Sequence, residues 1–98
     1  MAERILVVDD DPIQRRLLEE AIRRFGHQPV VVEGGEAALA VMTGPEGRTI
    51  ALMVLDLVMP DLDGMGVLLR LREAGIQVPV IVPTSQGGID VVVSAMRA

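Results

Sequence analysis

Two apolar runs in this chain end in carboxylates. Ile5-Leu6-Val7-Val8 leads into Asp9-Asp10-Asp11, and Leu52-Met53-Val54-Leu55 leads into Asp56. Short apolar runs with β-branched content read as buried strands, and strands covered on both faces belong to parallel sheets. In an open parallel sheet the chemistry collects outside the carboxyl ends of the strands. Asp9, Asp10 and Asp56 are therefore expected in one region. Clustered carboxylates repel one another and resist desolvation. A divalent cation with oxygen ligands is the ordinary compensation.

The elements that must position these groups alternate along the chain. After the first strand, Asp11-Pro12 predicts a helix start, with Asp as N-cap and Pro at the first helical position. Ile13, Leu17, Leu18, Ala21, Ile22 and Phe25 follow helical spacing, and Gly26 stops the run. Val30 to Val32 reads as a second strand, and Gly34-Gly35 opens a helix that closes near Gly44-Pro45. Ile50 to Leu55 is the third strand. A loop from Asp56 to Asp63 then leads to a helix carrying Val67, Leu68, Leu69 and Leu71, which ends at Gly75. Val78 to Val82 is the fourth strand, and Pro83, which lacks a backbone donor, is expected to end it. From Ile89 onward the spacing predicts a last helix. The βα alternation implies an α/β fold with right-handed crossovers.

The chain has 98 residues, room for one domain (1–98) burying roughly 65% of the unfolded chain's surface. Half of the residues are hydrophobic but only one, Phe25, is aromatic, so aliphatic side chains and Met must build the core. There is no Cys, which excludes disulfides and thiolate metal sites. The net charge of −5 argues against direct nucleic-acid binding. No apolar stretch approaches the ~20 residues that span a bilayer, and Met1-Ala2-Glu3-Arg4 lacks the features of a signal peptide, so a cytoplasmic location is expected.

Three segments together carry a family resemblance: Ile5 through Pro12, Asp56-Leu57-Val58-Met59-Pro60-Asp61-Leu62-Asp63-Gly64, and Val78-Pro79-Val80-Ile81-Val82-Pro83-Thr84. In order, spacing and strand context the chain resembles the receiver domain of bacterial two-component response regulators. That resemblance implies a flavodoxin-like, doubly wound parallel sheet of order 2-1-3-4, without the fifth strand and helix of the family. It implies phosphotransfer from a sensor histidine kinase to Asp56, which acts on itself rather than turning over an external substrate. It implies Mg²⁺ held directly by Asp10, through water by Asp9, by an oxygen of Asp56 and by the backbone carbonyl of Val58. Thr84 matches the switch hydroxyl that turns toward the phosphoryl oxygen, and Ser85 is the small residue beside it. The segment from Gly87 to Ala98 is similar to receivers of sigma-54-dependent, NtrC-like activators, which implies an output domain outside this chain.

Several residues carry plainer readings. Asp11 is expected only to cap its helix. Asp61-Leu62-Asp63-Gly64 has the look of a calcium loop, but Arg70 stands where the bidentate acid belongs. His27 is expected to be exposed without a partner, and the pairs Arg15-Arg16 and Arg23-Arg24 to form a solvated helix face. The family's phosphoryl-binding Lys has no counterpart, since all nine basic residues are Arg. Slow phosphate acceptance is expected from that loss of charge. A fourth strand without charges would leave an apolar edge open, and this edge or the last helix offers a homodimer contact. Two other functions compete: a pseudo-receiver that only binds partners, and a metal-dependent phosphohydrolase. The second would need an acid where this chain has Val58.

Overall fold

A computed structural model describes residues 2–56, 59, 62–83 and 89–92, with backbone alone at 83 and 89–92. The elements run β1 (Arg4–Val8), α1 (Pro12–Arg24), β2 (Gln28–Val32), α2 (Gly35–Thr43), a 3₁₀ turn (Gly47–Thr49), β3 (Ile50–Leu55), α3 (Gly64–Glu73), β4 (Val80–Pro83) and β5 (Ile89–Val92). The four strands β1 to β4 pair in parallel in the order 2-1-3-4, as expected of a flavodoxin-like sheet.

Helix boundaries follow the local chemistry. Asp11 caps α1 by accepting the Ile13 N–H at 2.9 Å, with Pro12 at the first position. Asp63 caps α3 by accepting the Gly66 N–H at 2.8 Å, which accounts for the second acid of the calcium-like tetrad. The two helices end on Gly26 (φ +85°) and Gly75 (φ +73°), left-handed positions where a Cβ would be strained.

Period-two alternation sends the strand side chains to two cores. Leu6 and Val8 of β1, with Met53, Leu55, Val80 and Val82, pack against Ala38 and Met42 of α2 and Val67, Leu68 and Leu71 of α3. Ile5, Val7 and Val54 point to the opposite face, where Ile22 of α1 meets them with Leu18, Val31 and Leu52 at its border. Two helices cover the first face. Among the described residues, α1 alone covers the second.

Four expectations are corrected. Ile89–Val92 are extended, not helical: β5 lies antiparallel on β4, pairing Val80 with Val92 and Pro83 with Ile89, and the rest of the expected helix lies outside the described residues. Ile, Val and Val in four residues favour strand over helix, and the β4 backbone offers unpaired groups to take them. The open edge proposed for dimer contact is therefore occupied within the chain. The second correction is smaller: β4 runs to Pro83 and begins at Val80, although Val78 is buried as expected. Third, α1 does not bury its whole apolar set. Ile22 is buried, but Ile13 (73% exposed), Leu17 (59%) and Phe25 (80%) face away from the sheet. The helix meets the sheet along the line of Leu18 and Ile22, so a residue one turn to the side gains nothing from it. Fourth, His27 has a partner: its Nδ1 accepts the Glu3 N–H at 3.0 Å, joining the α1–β2 turn to the start of β1.

At the opposite end of the strands from Asp9, Arg4 donates to Thr49 Oγ1 (2.7 Å) and to Glu46 Oε1 (2.8 Å). This half-exposed cluster adds little energy, but it ties β1 to the turn that launches β3. The β1–β3 register shifts between Arg4 and Ile5, then runs evenly from Ile5–Leu52 to Val8–Leu55.

The asymmetry of α1 has a measurable consequence. Ile22→Ala is expected to cost about 2–4 kcal/mol through lost burial and a residual cavity. Phe25→Ser should stay within about 0.5 kcal/mol of the parent chain. Urea denaturation of the two variants checks the contrast.

Candidate functional site

The site follows from the β1–β3 register. Val8 pairs with Leu55, so the next residue on each strand, Asp9 and Asp56, leaves the sheet side by side. Two hydrogen bonds extend the ladder to these positions: Asp56 N–H to the Val8 carbonyl (3.0 Å) and Asp9 N–H to the Val32 carbonyl (3.3 Å). Asp10 follows in the β1–α1 loop. Asp9, Asp10 and Asp56 each offer one carboxylate oxygen, and the three atoms lie within 4.8 Å of one another. The expected convergence is thus present in the fold. Val58, Thr84 and Ser85 lie outside the described residues.

The three carboxylates differ in environment. Asp9 is buried (4% exposed), Asp56 is half-buried and Asp10 faces solvent. Asp9 Oδ1 accepts the Asp11 N–H at 2.9 Å, so Asp9 closes the loop while Asp11 caps the helix. Burial raises the Asp9 pKa above the ordinary value. The Asp11 N–H opposes that rise, and the neighbouring charges of Asp56, Asp10 and Asp11 add to it. Desolvation outweighs the single hydrogen bond, so the charged form of Asp9 is disfavoured in this environment.

The donor set fits a hard divalent ion. All three groups are carboxylate oxygens, the ligand type Mg²⁺ prefers, and partial exposure leaves room for the waters Mg²⁺ retains.

Arg15 was missed as a site residue. Its Nη1 donates to the Asp9 carbonyl at 3.0 Å, and the side chain is half-buried rather than part of a solvated face. The signal was legible: Arg15 precedes Leu18 by three and Ile22 by seven, which puts a cation on the buried line of α1. Met59, within the loop expected from Asp56 to Asp63, is buried in the α2–α3 core. An open cavity of about 820 Å³ at the other end of the strands, lined by Met42, Pro45, Arg48 and Ile76, contains none of these groups.

A parallel sheet of order 2-1-3-4 with three acids between its first and third strands defines a class of α/β signalling domain. Comparison with known proteins agrees with it. The family model described as "Response regulator receiver domain" matches residues 5–98. The chain belongs to the response regulator receiver domain family, the phosphoacceptor modules of two-component systems. Response regulator protein FleR of Pseudomonas aeruginosa is 35% identical over 97 residues, which are 99% of this chain and 20% of that protein. The receiver domain of the Francisella response regulator 1452 superposes with a TM-score of 0.75 at 30% identity, over 82% of this chain and 64% of that one. Response regulator TrrA of Thermotoga maritima, solved in complex with Mg²⁺-BeF, gives 0.69 at 32% identity, over 86% and 72% of the two chains. Among the described residues, no helix is long and apolar enough to cross a membrane.

The raised Asp9 pKa fixes the sign of a pH effect. The unfolded chain gives up this proton at lower pH than the folded one, so ionising Asp9 weakens the fold. The cost is absent below the ordinary value of 3.8 and complete above the raised folded value. Asn at this position can keep the acceptor for the Asp11 N–H while removing the charge. Without divalent ions, Asp9→Asn is expected to melt a few degrees above the parent chain at neutral pH. The gain should shrink as the pH falls toward the carboxylate range, and scanning calorimetry across that interval measures it.

Proposed function

We propose that Asp56 is the phosphoacceptor of this domain and that Asp9, Asp10 and Asp56 hold the Mg²⁺ on which its phosphorylation depends. The observation that carries this reading is the meeting of the three carboxylates at the ends of β1 and β3. A Mg²⁺-BeF complex in the similar TrrA receiver supports the choice of ion. The ion, when bound, neutralises charge on the phosphoryl oxygens. The chain's own groups do the rest. An oxygen of Asp56 attacks the phosphorus of a phosphohistidine on a sensor kinase, forming a P–O bond as the P–N bond breaks and the imidazole leaves. Asp9 closes the β1–α1 loop through the Asp11 N–H and so keeps Asp10 at the mouth of the site.

On this reading the Val58 carbonyl completes the ligand set and the Thr84 hydroxyl reports the phosphoryl group to the segment after β4. Both lie outside the described residues. The domain modifies itself, works in the cytoplasm and turns over no external substrate. An output module reads its state. The chain spans only 20% of the FleR protein's length, which leaves room there for one, and an NtrC-like activator would be a protein of that kind.

Incubation with Mg²⁺ and acetyl phosphate, followed by intact mass measurement, tests the assignment. A single phosphoryl adduct is expected on the native chain. Asp56→Asn should carry none, and Asp10→Asn should need at least about tenfold more Mg²⁺ for the same yield. A native chain that binds Mg²⁺ but takes no phosphoryl group would make this a binding module instead. An adduct that survives Asp56→Asn would move the acceptor elsewhere.

A further inference from the structure

We infer that Arg15 is a positioning residue for the ion site, holding the β1–α1 loop in the shape that presents Asp10; this rests on the metal reading above. Arg15 grips the loop at two points. Its backbone N–H donates to the Asp11 carbonyl at 2.9 Å, and its guanidinium donates to the Asp9 carbonyl at 3.0 Å. The Asp9 carbonyl belongs to the peptide plane that leads into Asp10. Fixing that oxygen fixes the plane from which the Asp10 backbone and side chain depart.

The remaining ties act on either side of the Asp9–Asp10 peptide and leave its carbonyl to Arg15. The Asp9 N–H goes to Val32 in the sheet, and Asp9 Oδ1 accepts from Asp11. The contact from Arg15 is thus the one, among the described hydrogen bonds, that orients the Asp9–Asp10 peptide from the helix side. Its position explains how it reaches. Arg15 sits on the line of α1 that continues to Leu18 and Ile22 against the sheet. The aliphatic stem can follow that apolar surface while the charged end extends to the loop. Partners one step behind a metal ligand commonly set its orientation and contribute to affinity.

A rival role for the same residue predicts the opposite sign. A cation beside an acidic pocket repels a second cation, so on charge alone removing Arg15 should tighten Mg²⁺ binding. If Arg15 acts by geometry, its removal should loosen binding. Arg16, exposed on the adjacent face, supplies a control that removes the same charge.

The test is Mg²⁺ titration by calorimetry, with Mn²⁺ paramagnetic resonance as a second probe, on the full chain and four variants. Arg15→Gln keeps part of the stem but is too short to reach Asp9, and should weaken ion binding about tenfold. Its melting temperature in metal-free buffer should stay within a few degrees of the parent. Arg15→Lys, which can still donate to one carbonyl, should remain within about threefold, and Arg15→Met, which keeps the apolar stem but has no donor, should weaken binding like Arg15→Gln and carries the test if the Gln variant does not fold. Arg16→Gln should bind as tightly as the parent or more so. Unchanged or tighter binding by Arg15→Gln overturns the inference and leaves the metal reading standing. A parent chain that takes up neither ion overturns both.

Discussion

The parallel pairing of β1 with β3 is the constraint on which the rest of this molecule depends. Once Val8 stands opposite Leu55, the carboxylates that follow have no freedom to separate, because each leaves its strand at the same level of the sheet. The repulsion between them is then a property of the fold. Burial of Asp9 deepens it, as its raised pKa shows. Stability elsewhere must offset that cost, and the two aliphatic cores on either side of β1 and β3 are where it is found. The candidate site and this electrostatic cost therefore share one location.

The loop from Val8 to Pro12 shows how few groups such a site needs. Asp9 accepts from Asp11, Asp11 caps α1, and α1 returns Arg15 to the carbonyl of Asp9. Each of these acids has a different task within three consecutive positions. Asp9 is buried and closes the loop, Asp10 faces solvent, and Asp11 serves the helix. A row of like residues in sequence thus becomes three environments in space. The helix is part of the site because its first turns supply both the capped end and the cation.

The two faces of the sheet are unequal. The α2–α3 side joins strands β1, β3 and β4 into one continuous core that also takes in Met59 from the loop after Asp56. That connection lets the packing of α2 and α3 bear on Met59, three residues after Asp56. Gly35 shows how close the approach is: a Cβ there would collide with the Leu62 carbonyl and crowd Val67. On the other side, α1 touches the sheet along a narrow line and leaves Ile13, Leu17 and Phe25 exposed.

Strand identity, helix caps and the strand-end acids were legible because each depends on near neighbours, whereas the meeting of Asp9 and Asp10 with Asp56 depends on strand order. The apolar runs before Asp9 and Asp56, the Asp11-Pro12 start and the glycines at 26 and 75 act over a few residues, and chain order alone exposes them. The family resemblance added the strand order, which periodicity cannot supply. What tertiary structure decided was which side of an element meets a partner. Helical spacing treated Phe25 and Ile22 alike, but only contact with β1 and β3 separates buried from exposed. Arg15 looked like surface until the loop it holds was folded above it. The extended β5 depends on the unpaired edge of β4, a partner that exists only once the sheet has formed. Local chemistry acts within a turn or a strand, whereas burial and pairing depend on residues that the chain brings together from a distance.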